Sequence, residues 1–200
     1  SAEAALRAAG AGVAAVDAVM SGRTRRAFCA VRPPGHHATP AAAMGFCLFN
    51  NVAVAARHAI DRHGLERVAI VDFDVHHGNG TQAIFEQDRR VLFASSHQWP
   101  LYPGSGARNE TGAGNIVNAP LPADADGILF RAAWTETLLP AIDAFRPQLL
   151  LVSAGFDAHR RDPLAQLRLE AEDFAWITLE LGRLATRQCG GRVGSSREAG

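Results

Sequence analysis

Short apolar runs that alternate with stretches of helical periodicity constrain this chain more than any other feature. Runs over 27–31, 68–73, 91–94, 116–118 and 149–152 are short and rich in β-branched residues, as strands are when both of their faces are buried. Helical patterns over 50–63, 128–145 and 171–187 alternate with them. That alternation predicts an α/β fold, a doubly wound parallel sheet with helices on both faces. A first helix is expected over 2–20, where Leu6, Val13, Val16 and Val19 recur near helical spacing before Ser21-Gly22 stops it. The glycine-rich stretch 102–114, YPGSGARNETGAG, reads as a long surface loop, a common place for substrate contacts.

With 200 residues and 48% hydrophobic content, the chain can bury the core of one domain, and a second is not expected. Acids and bases balance at 20 each, every base being Arg. No basic field is therefore available for nucleic acid or an acidic membrane surface. No apolar run approaches the roughly 20 residues that span a bilayer, and the Ala-rich start is interrupted by Glu3, Arg7 and Asp17. Cys29, Cys47 and Cys189 form no C-x-x-C pair, so neither a disulfide framework nor a thiolate zinc site is indicated. The expectation is a soluble, cytoplasmic protein with reduced thiols. The opening at Ser1, inside a helical pattern, is read as the continuation of upstream sequence.

Three segments carry candidate chemistry. If residues 68–76 run on as one strand, Asp72, Asp74 and His76 point to one side and Val71, Phe73 and Val75 to the other. Ligand crevices of open parallel sheets lie beyond the carboxyl ends of the strands. An Asp-x-His there offers an oxygen and a nitrogen to a divalent metal, although alone it also reads as a surface turn. The second segment, LLLVSAGFDAHRRDP, ends another apolar run on Asp157. Two carboxylates and one imidazole leave a fourth position open for water, as catalytic zinc requires; a helix cap or a loop acid reads the same way. The third, VRPPGHHA, sets His36 and His37 behind a stiff Pro33-Pro34-Gly35 turn. Such a pair suits proton transfer, and in isolation is equally surface decoration.

Taken together and in order, RPPGHHA, GFCLFNN, DFDVHHGNGT, HQWPLYPGSG and SAGFDAHRRDPL resemble histone deacetylases, above all the class II-type enzymes and bacterial deacetylase-like amidohydrolases. The resemblance runs over about residues 1–193. It implies the arginase/deacetylase-like fold and hydrolysis of an acetylated amine, either an acetyl-lysine side chain or an acetylpolyamine. It makes Asp74, His76 and Asp157 the ligands of one zinc ion, a donor set that iron(II) also accepts. It sets His36 and His37 beside the water, partnered by Asp72 and Asn79. A carboxylate favours imidazolium and an amide adds no charge, so His36 is expected to be the cationic partner and His37 the general base and acid.

The same resemblance makes Gly45-Phe46 and Tyr102 the walls of a tunnel for the acylated alkyl chain, a suitable use of two rings; Phe46 alone would pass for core. It further implies potassium on carbonyls of Asp72, Asp74, His76 and Ser96 with the Ser95 hydroxyl, and a second monovalent ion on Phe85, Asp88 and Val91. Related binuclear ureohydrolases carry acids where this chain has Gly78 and His159, which favours one catalytic metal over two. After Cys189-Gly190-Gly191-Arg192-Val193, the family leads into a Gly-Gly-Tyr whose hydroxyl polarises the substrate carbonyl. This chain reads GSSREAG there, and Tyr102 is its single tyrosine. Residues 194–200 are accordingly read as an atypical tail outside a partial catalytic domain over 1–193. Two functions result: a zinc-dependent deacetylase, or an inactive metal-binding segment without the tyrosine.

Overall fold

A computed structural model describes residues 1–198. Among them, six parallel strands form one sheet in the order β1-β6-β5-β2-β3-β4. They are β1 Arg26–Cys29, β2 Val68–Asp72, β3 Val91–Gln98, β4 Ile116–Leu121, β5 Leu149–Ala154 and β6 Val193–Arg197. The helices are α1 Ala2–Met20, α2 Asn51–His63, α3 Asn79–Phe85, α4 Gly127–Ala133, α5 Leu139–Phe145 and α6 Ala171–Cys189. The chain winds outward from β2 to β3 and β4, then returns to lay β5 on the other side of β2. The strand order reverses between β2 and β5, and crevices open at such reversals beyond the strand ends.

Side-chain alternation along the central strands builds two cores. Val68 and Ile70 of β2, Val91 and Phe93 of β3, and Leu149 and Leu151 of β5 pack under α1, α2 and α3. The intervening Ala69, Val71, Leu92, Ala94, Leu150 and Val152 pack against α4, α5 and α6 around Trp134 and Ile177. Both faces are thus covered, as apolar parallel strands require. No helix among the described residues is long and apolar enough to cross a membrane.

The helix caps explain where the chain turns. Asn50 accepts the amide of Ala53 to start α2, and Gly64 ends it in the left-handed region at φ 68, a conformation that costs glycine little. Glu170 and Asp173 form a reciprocal capping box at the start of α6.

Several elements differ from the sequence expectation, and β3, β4 and β5 run on to Gln98, Leu121 and Ala154. β1 begins and ends earlier than 27–31. The helix expected over 128–145 contains a π-helical turn, Trp134–Leu138, between α4 and α5; Pro140, at the start of α5, has no N–H for the regular ladder, and the wider turn absorbs that loss. α3, only seven residues long, was not anticipated. The boundary placed after residue 193 is the largest correction. Val193–Arg197 is a strand held between β1 and β5, so 194–197 are sheet and not tail; residues 199 and 200 lie outside the described residues. Small Gly194, Ser195 and Ser196 hide the strand from a hydrophobicity pattern, and Gly194 packs close to β5: a Cβ there would stand 2.9 Å from Leu151 Cδ2, so that side chain would have to shift.

Beyond β6, the buried Glu198 donates its amide to the carbonyl of Ala154. Its carboxylate accepts the amides of Gly35 and His36 at 2.7 and 3.0 Å and the Ser153 hydroxyl at 3.1 Å. Glu198→Ala is expected to lower the unfolding free energy by about 2–4 kcal/mol, because it strands two buried N–H donors. Urea unfolding measures this, and an unchanged midpoint would show that the contact contributes nothing to stability.

Candidate metal centre and active site

β2 ends at Asp72 and β5 at Ala154, directly beside each other, with Asp72 opposite Ser153. The polypeptide then leaves both strands, and the loops that follow carry the three expected ligands. The side-chain alternation outlasts the strand itself, for Phe73 and Val75 still enter the α4–α6 core. Each turn is fixed locally: the amide of Asp74 bonds Asp72 Oδ1 at 3.0 Å, that of His76 bonds Asp74 Oδ1 at 2.9 Å, and that of Val75 reaches Asp157 Oδ1 at 2.9 Å. Gly155 leaves room for this packing, since a Cβ would lie 2.0 Å from Asp74 Oδ2.

His76 Nδ1 consequently lies 3.1 Å from Asp74 Oδ1 and 3.1 Å from Asp157 Oδ2. One ligand atom from each of the three residues falls within 4.8 Å of the others. Asp74 Oδ2 is buried and has no hydrogen-bond partner among the described residues. Burial, and then the neighbouring charge of Asp157, raise the Asp74 carboxyl to about 7. Burial opposes protonation of His76, but its bonds to Asp157 and Asp74 outweigh it and lift the ring to about 9. The cluster thus draws in positive charge, and an orphaned carboxylate oxygen beside two further donors fits a divalent cation.

His36 and His37 stand over this cluster, their ring centroids 4.1 Å apart. The loop that carries them is bound from several sides. Asn51 donates to the Pro33 carbonyl and Asn50 to that of Ala38, while the amides of Gly80 and Thr81 both meet the His36 carbonyl. A Cβ on Gly80 would stand 2.2 Å from the Ala38 oxygen, so α3 could approach this closely only with glycine there.

The two histidines have the partners expected of them. His36 Nδ1 meets Asp72 Oδ2 at 2.9 Å, and His37 Nδ1 meets Asn79 Oδ1 at 2.8 Å. Burial disfavours charge on His36, yet Asp72 and Asp74 outweigh it and hold the ring well above its ordinary value. Burial, and then the charge of His36, push His37 down to about 3. Because Asn79 Oδ1 can only accept, His37 must donate through Nδ1, which leaves Nε2 with a free lone pair.

A cavity of about 430 Å³ opens above the cluster, lined by Pro34, Gly45, Phe46, Tyr102 and Leu164 as well as the polar residues. Phe46 is 89% exposed and so is not core. It is presented at φ 64 after Gly45, where a Cβ would strike the His37 ring. Tyr102 faces it, its ring 5.2 Å from that of His37 and 6.2 Å from that of His76.

The monovalent-ion positions divide. Asp72, Ser95 and Ser96 are buried on adjoining strands, with Asp72 opposite Ser95, and the Ser95 hydroxyl also meets His97 at 2.9 Å. The carbonyls of Phe85, Asp88 and Val91 do converge, but on the buried amide nitrogen of Asn115, at 2.7, 3.1 and 2.8 Å. A second ion does not fit where that amide sits. Sequence reasoning missed Asn115, whose signal was a polar residue at the mouth of an apolar strand. It also missed Glu198, assigned to the supposed tail, and His77, whose ring is buried beside His97 and braces Ser105.

Comparison with known proteins agrees with this geometry. Residues 1–200 match the Histone deacetylase domain family. A histone deacetylase-like amidohydrolase of Pseudomonas aeruginosa is 45% identical over 196 residues, covering 96% of this chain and 52% of its own length. Human polyamine deacetylase HDAC10 is 46% identical over 203 residues, covering 96% of this chain and 30% of its own. The solved HDA15 HD domain superposes with a TM-score of 0.94 at 42% identity, over all of this chain and 57% of that one. The chain thus spans about half the length of the bacterial relative and of the solved domain.

Two outcomes follow from the site. His76→Ala or Asp157→Ala removes one bound zinc per chain, since each leaves two protein ligands; metal analysis after dialysis checks it, and undiminished zinc in both variants would sink the assignment. Asn115→Ala removes the side-chain amide that meets three carbonyls, two of which keep the backbone amides of Asp88 and Val91 as donors, and destabilises the chain by about 1–3 kcal/mol. KCl should then stabilise this variant more than the parent in thermal melts at matched ionic strength, and an equal response would show that no cation replaces the amide.

Proposed function

The chain belongs to the histone deacetylase family, and from that premise we propose that its cavity hydrolyses the amide of an acetylated amine, an acetyl-lysine side chain or an acetylpolyamine. The observation that carries this reading is that ligand atoms of Asp74, His76 and Asp157 lie within 4.8 Å of one another in the cavity that His37 also lines. Zinc would be held by those three residues, and when bound it supplies Lewis acidity and lowers the pKa of water. Phe46 and Tyr102 flank the apolar stem of the substrate and keep bulk water from the amide. His37 accepts a proton at Nε2 and returns it to the leaving amine, as a general base and then acid. His36, kept cationic by Asp72 and Asp74, holds a fixed positive charge close to where negative charge develops. Potassium on the Asp72, Asp74, His76, Ser95 and Ser96 group is assigned a structural role beneath the cluster.

The second reading, metal binding without turnover, rests on Tyr102: it is the single tyrosine and stands on the cavity wall beside His37, leaving this segment no other phenol for the substrate carbonyl.

An assay of zinc-loaded protein on an acetyl-lysine amide separates the roles. His37→Ala is expected to lower kcat/KM by at least about 100-fold, since it deletes the proton carrier. Asn79→Asp costs far less at its optimum but sets a carboxylate against His37 and raises the pKa of the ring. The base is active only above that pKa, so the acidic limb of the pH profile moves to higher pH. Equal losses with unshifted profiles would mean that His37 is not the base, and no turnover by the parent would favour the second reading.

A further inference from the structure

Remote from the cavity, one carboxylate joins α1 to α2. Asp17, on α1, points a single oxygen, Oδ1, at two imidazoles of α2: His58 Nε2 lies 2.7 Å away and His63 Nε2 2.8 Å away. The two rings are 5.4 Å apart and nearly perpendicular, at 77°. Both nitrogens thus aim at one point from different directions, and the three atoms lie within 4.8 Å of one another. All three residues are partly exposed, so the point is open to ions from solvent. α2 starts beside the histidine loop at Asn50, and its 13 residues end on His63, so His58 and His63 sit about 12 and 20 Å along the helix from that loop.

We propose that Asp17, His58 and His63 form a second divalent-metal site, which ties α1 to α2. Two imidazoles and one carboxylate make a neutral-nitrogen and anionic-oxygen set of the kind taken by zinc and neighbouring first-row ions, with positions left for water. To share Oδ1, both rings must now present Nε2–H. Neither Nδ1 has a hydrogen-bond partner among the described residues, so each proton can move to Nδ1 and free Nε2 as a ligand without change in the ring's charge. Tetrahedral zinc with bonds near 2.1 Å separates its ligands by about 3.4 Å. The Asp17 contacts of 2.7 and 2.8 Å need open by only about 0.6–0.7 Å, within the reach of partly exposed side chains. Asp17 carries the one formal charge of the group, and a dication replaces two N–H donors on it with a full positive charge.

Zinc alone is the probe, with the full chain stripped of metal and dialysed against micromolar zinc. The parent is expected to bind two equivalents, His76→Ala one, the His58→Ala/His63→Ala double variant one, and the combination of all three none. In the His76→Ala background, zinc should raise the unfolding temperature, and adding Asp17→Asn, which preserves side-chain shape, should abolish that rise. A double variant that binds as much zinc as the parent overturns the proposal, as does a His76→Ala chain that binds none. Failure of the cavity site alone has a different signature: a parent with one equivalent that survives His76→Ala and is lost with His58 and His63.

Discussion

Pairing β2 with β5 forces two carboxylates into one buried space, and much of the upper half of the molecule answers that strain. Asp72 and Ser153 are opposite each other at the ends of these strands, so the next turns cannot diverge before Asp74 and Asp157 meet. Two anions in a site shielded from water repel strongly. His76 is the first response, lodged between them, but one imidazole satisfies only part of four oxygens. Asp74 Oδ2 stays without a partner. A dication is the occupant whose charge and geometry match what is left, and the fold therefore prepares the site before any ion arrives.

The histidine pair depends on a second set of constraints, which lie largely in the backbone. The loop from Pro33 to Ala38 makes no sheet of its own and is held by side chains from elsewhere: Asn50, Asn51 and Glu198. This bracing lets His36 and His37 touch yet titrate in opposite senses. His36 sits against the buried carboxylates of Asp72 and Asp74, and His37 against the neutral amide of Asn79 and the charge of its neighbour. One residue of displacement in that loop would set Gly35 or Ala38 against one of the two partners, so rigidity here is a chemical requirement as well as a structural one.

Much of this was legible in the sequence, for a physical reason. Strands such as β2 and β5 are uniformly apolar because both faces are buried, and their abrupt end in Asp and His advertises the crevice. From that contrast Asp74, His76 and Asp157 were candidates only; the resemblance carried by the five motifs grouped them as a ligand set and named the partners of His36 and His37. Glu198 was not, because β6 consists of Val193, Gly194, Ser195, Ser196 and Arg197, a strand chosen for closeness to β5 rather than for hydrophobicity. The π turn at Trp134 was hidden because a single proline gives no sign of whether a helix will break or widen. Asn115 was hidden because a side chain that replaces an ion leaves no motif of its own.

The three places where acceptors converge in this chain differ in formal charge, and that difference decides what can occupy each. The carbonyls of Phe85, Asp88 and Val91 carry only partial charges. Neutral donors can serve them: the Asn115 amide stands among the three, and the backbone amides of Asp88 and Val91 donate to the Phe85 and Asp88 carbonyls. Asp74 and Asp157 crowd two carboxyls into a buried space, where burial and the charge of Asp157 raise Asp74 to about 7, so the occupant they call for is positive charge rather than a neutral amide. Asp17 lies between these extremes: one carboxylate, partly exposed, already met by two imidazoles. Solvent screening there lowers the need for a cation and also the cost of leaving it out. An ion at the proposed Asp17 site would thus be optional and exchangeable, whereas the buried carboxyls of Asp74 and Asp157 favour one strongly.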